Sequence, residues 1–139
     1  MKRFYYESKV ADIVLAFSGC HTITIGPFVF SKRKESVISQ EVKNHETCHS
    51  YQWIELACLV GFVVFLLQLI LGISAWWYLL AMVIFYIWYG IEFLVRWAMY
   101  REWNKSYKMV SFEQEAYASE HDNNYIENRH MFTGWLKYL

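Results

Sequence analysis

In NHETCHSYQ, residues 44–52, His45 and His49 stand four positions apart with Glu46 beside the first. On a helix a spacing of four places two side chains on one face, one turn apart, so both imidazoles can bind the same tetrahedral cation. Glu46 is then placed to take a proton from water at the open position of a zinc ion, the arrangement of HExxH metalloproteases. Nothing in SQEVKNHETCHSYQW breaks a helix, and Gln52 extends the same face seven residues from His45. One zinc ion per chain is the expected cofactor.

Two histidines leave one protein ligand to find, and His, Glu and Asp are its usual sources. Glu113 in SFEQEAY leads, because Ala116 on the same helical face allows that helix to approach the His45 helix closely. Glu115 points about half a turn away. Glu92 is followed at i+4 by Arg96, which reads more simply as an ion pair at a helix end, and Glu55 reads as an interfacial residue. Tyr117, Arg129 and His130 are candidates to donate a hydrogen bond to a transition-state oxyanion.

The elements that must position these residues follow from the apolar pattern. The chain has 139 residues, 56% hydrophobic and 20% aromatic, where about 45–50% apolar is ordinary for a soluble domain. Its 13 basic and 13 acidic residues cancel, which argues against a nucleic-acid partner. No charge occurs between Leu56 and Ile91, a run well beyond the roughly 20 residues needed for one crossing of a bilayer. Gly72 and Ser74 in LGISAWW supply the turn, giving crossings from about Trp53 to Leu71 and from about Ala75 to Val95. Trp76, Trp77 and Tyr78 cluster at that turn, while Tyr51, Trp53, Trp88, Tyr89, Trp97 and Tyr100 cluster toward the other interface. Lys and Arg are absent from Asn44 to Val95 but flank both sides, which places both termini and the site in the cytoplasm.

The fold expected is a mainly α integral membrane protein. A two-helix transmembrane hairpin has long helices extending to one interface, and HTITIGPFVF forms a small N-terminal β-hairpin or edge strand. One domain, 1–139, divides into a strand and loop region (1–35), a metal-motif helix running into the first crossing (36–71) and capped by Ser36 or Ser39, and the second crossing (75–100). A C-terminal helical segment (108–139) carries the third ligand, after a break near Asn104 to Ser111. VADIVLAF is short and interrupted by Asp12, unlike a signal peptide. Cys20, Cys48 and Cys58 form no metal-type spacing and read as reduced thiols.

The order HExxH, membrane hairpin, Glu-x-x-Ala resembles the HtpX and CAAX-prenyl-protease group of integral membrane zinc metallopeptidases, over roughly Ser36 to Glu120. The resemblance implies zinc held by His45, His49 and Glu113, with Glu46 as general base in hydrolysis of a peptide or membrane-protein substrate. The chain departs from that group in having Tyr117 where Asp usually follows the Ala, and in having two membrane helices rather than more. HETCHSYQ is also similar to small bacterial metallopeptidases with HExxHxxQ, which implies a bacterial inner membrane. Since two helices rarely enclose a site, a homo-oligomer is also expected. Two other classes stand beside this one: a membrane oxidase whose di-iron site uses the two Glu-x-x-His motifs ETCH and ENRH, and a non-catalytic membrane adaptor with a remnant site.

Overall fold

The computed structural model describes residues 3–17 and 19–139; Met1, Lys2 and Ser18 lie outside the described residues. A three-stranded sheet with one short helix is followed by two long helices and four short ones. Strand β1 (Phe4–Tyr5) pairs in parallel with β3 (Phe28–Ser31), which pairs antiparallel with β2 (Thr22–Ile25), giving the order β1-β3-β2. The expected hairpin is therefore β2–β3, and β1 adds a third strand that its two residues are too short to announce. VADIV forms helix α1 (Lys9–Val14), whose N-terminus is capped by Ser8.

Helix α2 (Gln40–Leu71) has 32 residues, about 48 Å of helix against a hydrocarbon core of about 30 Å. Ser39 caps its start, accepting from Val42 N at 3.3 Å, and Gly72 ends it in the left-handed conformation at φ 63°. A 3-10 turn (Ala75–Trp77) leads into α3 (Tyr78–Tyr100). Both long helices are apolar enough, as well as long enough, to cross a membrane. They pack against each other, and Trp53 Nε1 donates to Met82 O at 3.0 Å across the pair.

Where one break was expected between Asn104 and Ser111 there are two, one earlier at Arg101 and one within that span at Met109–Val110. Arg101 takes a positive φ of 56° and closes α3 through its N–H to Trp97 O. Helix α4 (Trp103–Lys108) then leads through Met109 and Val110 into α5 (Ser111–Ser119), with α6 (Tyr125–Asn128) and α7 (Thr133–Leu136) completing the chain. Trp53, Leu56, Phe85, Val110, Phe112 and Trp135 form the buried core, which ties α5 and α7 to the near halves of α2 and α3. The hairpin is seated by its turn: Gly26, at φ 60°, donates its N–H to Tyr86 Oη at 2.6 Å and faces the Trp53 ring. A side chain at Gly26 would meet both the ring and an unfavourable backbone conformation.

Candidate metal centre

The N-terminal third of α2 carries His45 and His49, and α5 lies across it with Ala116 fully buried at the crossing. This brings Glu113 to the two rings, and His45, His49 and Glu113 form a group able to hold a metal ion. His45 Nε2 lies 3.1 Å from His49 Nε2 and 3.4 Å from Glu113 Oε2, and His49 Nε2 lies 3.2 Å from Glu113 Oε1. Ligand bonds of about 2.0–2.1 Å at a tetrahedral ion imply ligand-to-ligand separations of about 3.3 Å. The three separations lie near that value, the two to Glu113 being to its two different oxygens.

The surrounding hydrogen bonds decide which atoms face inward. Gln52 Nε2 donates to Phe112 O at 3.0 Å and to Glu115 Oε2 at 2.9 Å, which leaves Gln52 Oε1 as the acceptor for His49 Nδ1 at 2.8 Å. The proton of neutral His49 is thus on Nδ1, and Nε2 presents its lone pair to the site. Glu120 Oε2, 3.3 Å from His45 Nδ1, fixes the other ring in the same sense. With both rings in these tautomers, two Nε2 lone pairs and the Glu113 carboxylate face one another, an arrangement that a bound cation would satisfy and that otherwise calls for a proton on one of the rings.

Glu113 is 1% exposed, and its Oε2 is a buried oxygen without a hydrogen-bond partner, while Oε1 accepts from Tyr89 Oη at 2.8 Å. Burial pushes this carboxyl upward, but the His49 and His45 rings outweigh burial and hold it well below the usual carboxylate range. It is an anion poised beside two imidazoles. The donor set, one carboxylate and two imidazoles, suits several divalent transition ions, zinc among them.

Glu46 points from the same turn of α2 toward the sheet, where Thr24 Oγ1 donates to its Oε2 at 2.5 Å. Tyr117 packs its ring edge-on to His45, with centroids 4.7 Å apart. Arg129 is placed elsewhere: it donates to both oxygens of Glu55 and to both oxygens of Glu115, deep between α2 and α5. His130 is exposed and lines neither cavity beside the triad. Glu127, which with His130 makes the second Glu-x-x-His motif, is exposed as well. Glu92 forms the expected ion pair with Arg96 at 3.1 Å and also caps α5, accepting from Ser111 N at 2.8 Å and Ser111 Oγ at 2.6 Å.

Two cavities meet beside His45, and the smaller also reaches His49 and Glu113. One of about 530 Å³ is lined by Glu41, Glu46, Glu120, Arg33 and Tyr117. The other, about 350 Å³, runs between the hairpin and α3 and is lined by Leu15, Ile23, Phe85, Tyr86, Tyr89 and Gly90. His45, Glu46 and Tyr107 belong to both. Tyr107 carries no sequence signal of its own; burial, reinforced by the Glu113 charge, pushes its phenol far above the usual value, so the hydroxyl keeps its proton. Thr24, Tyr89 and Glu120 are likewise absent from any motif, because they reach the site through tertiary packing rather than through spacing. No protein-family model, curated protein or solved structure matches the chain.

Proposed function

We propose that the chain is a membrane-embedded zinc metallopeptidase that hydrolyses peptide bonds at the membrane–cytoplasm interface. The observation that carries this reading is the triad itself: two imidazoles and one carboxylate gathered within reach of a single ion, two of the three buried, with Glu46 beside them, one cavity opening on all three and a second on His45. A zinc ion held there supplies Lewis acidity toward a carbonyl and acidifies water. Glu46 is the proton acceptor and returns the proton to the leaving amine, its carboxylate aimed by Thr24. Tyr89 is engaged with Glu113, so Tyr107 and Tyr117, which line the cavity beside His45, are the hydroxyl donors offered to a substrate, and β2, an edge strand lining both cavities, offers an extended peptide a backbone to pair with.

Membrane insertion is supported by what the long helices leave uncovered. Leu69, Ile70, Leu71 and Trp76 are all more than two-thirds exposed, whereas the long core helix of a soluble protein would be covered. The distribution of Lys and Arg supports cytoplasmic termini and a cytoplasmic site, as in a bacterial inner-membrane protein related distantly to the HtpX and CAAX-prenyl-protease group. Nothing favours the di-iron alternative, since Glu127 and His130 face solvent away from the triad.

Elemental analysis of the detergent-purified chain tests the reading. The expected result is about one zinc per chain, lost in His45→Ala and Glu113→Ala. Glu46→Gln keeps the metal and loses all zinc-dependent peptide cleavage. Two irons per chain would favour the oxidase, and a chain free of metal after reducing, chelator-free purification would leave only the non-catalytic adaptor.

A further inference from the structure

The two cavities at the triad differ in chemistry, and the difference defines an occupant. The larger one has three carboxylates on its wall, Glu41, Glu46 and Glu120, against the single guanidinium of Arg33. The smaller one is walled by Ile23, Leu15 and Phe85, with the tyrosine rings of α3, and continues along the helix that is apolar enough to cross a membrane. His45 and Glu46 lie on the partition between them. The buried, unpartnered Oε2 of Glu113 marks where the reacting centre sits, independently of the acidic wall.

A chain laid across that partition has one flank among carboxylates and the other among apolar side chains beside α3. We infer that the substrate is a polypeptide held where a basic residue adjoins a large apolar one, the composition of a membrane segment at its cytoplasmic edge. The acidic wall takes the Lys or Arg, and the cavity at α3 takes the apolar side chain. This rests on the peptidase reading above and adds to it the class of sequence recognised.

Gly90 makes the apolar half testable. It lines that cavity, and a Cβ built on it meets no atom within 4 Å, so a larger side chain enters empty space rather than displacing the fold. The experiment uses the full chain in detergent, loaded with zinc and carrying Glu46→Gln so that peptides bind without turnover, with Glu41 and Glu120 remaining as the carboxylates of the wall. Fluorescence anisotropy compares labelled peptides with Lys or Glu on one side of a central bond and Phe or Ala on the other. Lys–Phe is expected to bind about tenfold more tightly than Glu–Phe, and adding Glu41→Lys should erase most of that preference. Adding Gly90→Leu should weaken Lys–Phe binding by about tenfold, leave Lys–Ala binding unchanged, and keep the zinc content.

Cleavage by the unmutated protein, run in parallel, separates the two claims. Zinc-dependent cleavage with equal affinity for all four peptides overturns the inference and leaves the peptidase standing. A Gly90→Leu protein that loses Lys–Ala and Lys–Phe equally also overturns the cavity assignment. Zinc-loaded protein that neither binds nor cleaves any of the peptides overturns both.

Discussion

Glu113 and Glu115 lie two residues apart on α5, each 1% exposed, yet the protein uses them in opposite ways. Glu115 is saturated: Gln52 and Tyr125 donate to it, and Arg129 donates to both of its oxygens. Glu113 has one donor, Tyr89, and an oxygen left without any. Burial pushes both carboxyls upward, and both nevertheless lie below the usual range, Glu113 because of two imidazoles and Glu115 because of Arg129 and Gln52. The contrast shows that burial and charge alone do not mark a ligand. What marks Glu113 as a candidate ligand is an oxygen left without a hydrogen-bond donor beside two imidazoles.

The largest predicted effect comes from emptying the saturated side. Arg129 sits between Glu55 and Glu115, whose side chains are as buried as its own, so Arg129→Ala strands two carboxylates. Removing one partner of a buried ion pair costs about 3–5 kcal/mol. Thermal unfolding in detergent should show that loss, with α6 and α7 becoming sensitive to protease first. Gly134→Ala should follow at about 1–3 kcal/mol, the range for overpacking, because a Cβ there would overlap the Glu115 carboxylate. If Gly134→Ala melts like the parent, α7 is not pressed against Glu115 as described.

How far the sequence anticipates this division depends on the kind of contact. Spacing on one helix is legible, so His45, Glu46 and His49 appear at once, and so does the Glu92–Arg96 pair. Glu113 is legible by elimination, aided by the small residue Ala116. The charge-free run from Leu56 to Ile91 and the Gly72 stop likewise announce two long helices. Arg129 is different: its partners are 74 and 14 residues away, and only the packing of α6 against α2 shows that it serves structure. Strand β1 and the short helices α4, α6 and α7 are equally silent, since segments of two to six residues carry no periodicity to read.

Gln52 joins the two sides, accepting from His49 and donating to Glu115. Gln52→Met keeps the volume and removes the acceptor that holds the His49 proton on Nδ1. Metal affinity should fall about 10–100-fold, the usual cost of losing a residue that orients a metal-binding histidine. Competition against a chromophoric chelator measures it. The same variant should lose less stability than Arg129→Ala, because Arg129 still neutralises Glu115. Unchanged affinity would separate the two carboxylates and make Gln52 a core residue only.

The smallest effect is in acid, and it isolates Glu115. A carboxyl whose folded value lies below its ordinary value of 4.5 contributes stability that is complete above 4.5 and is lost as pH falls from there toward the folded value. The unmutated chain and Glu115→Gln should therefore differ in melting temperature by a constant amount above pH 4.5, and the gap should narrow below it. Arg129, whose value burial lowers but Glu115 and Glu55 raise further, stays charged throughout and adds no slope. Carboxylates outside the Arg129 cluster are common to both chains and cancel in the difference. A gap that widened in acid would mean that Glu115 is protonated more readily in the fold than outside it, which would reverse its assignment as the partner of Arg129.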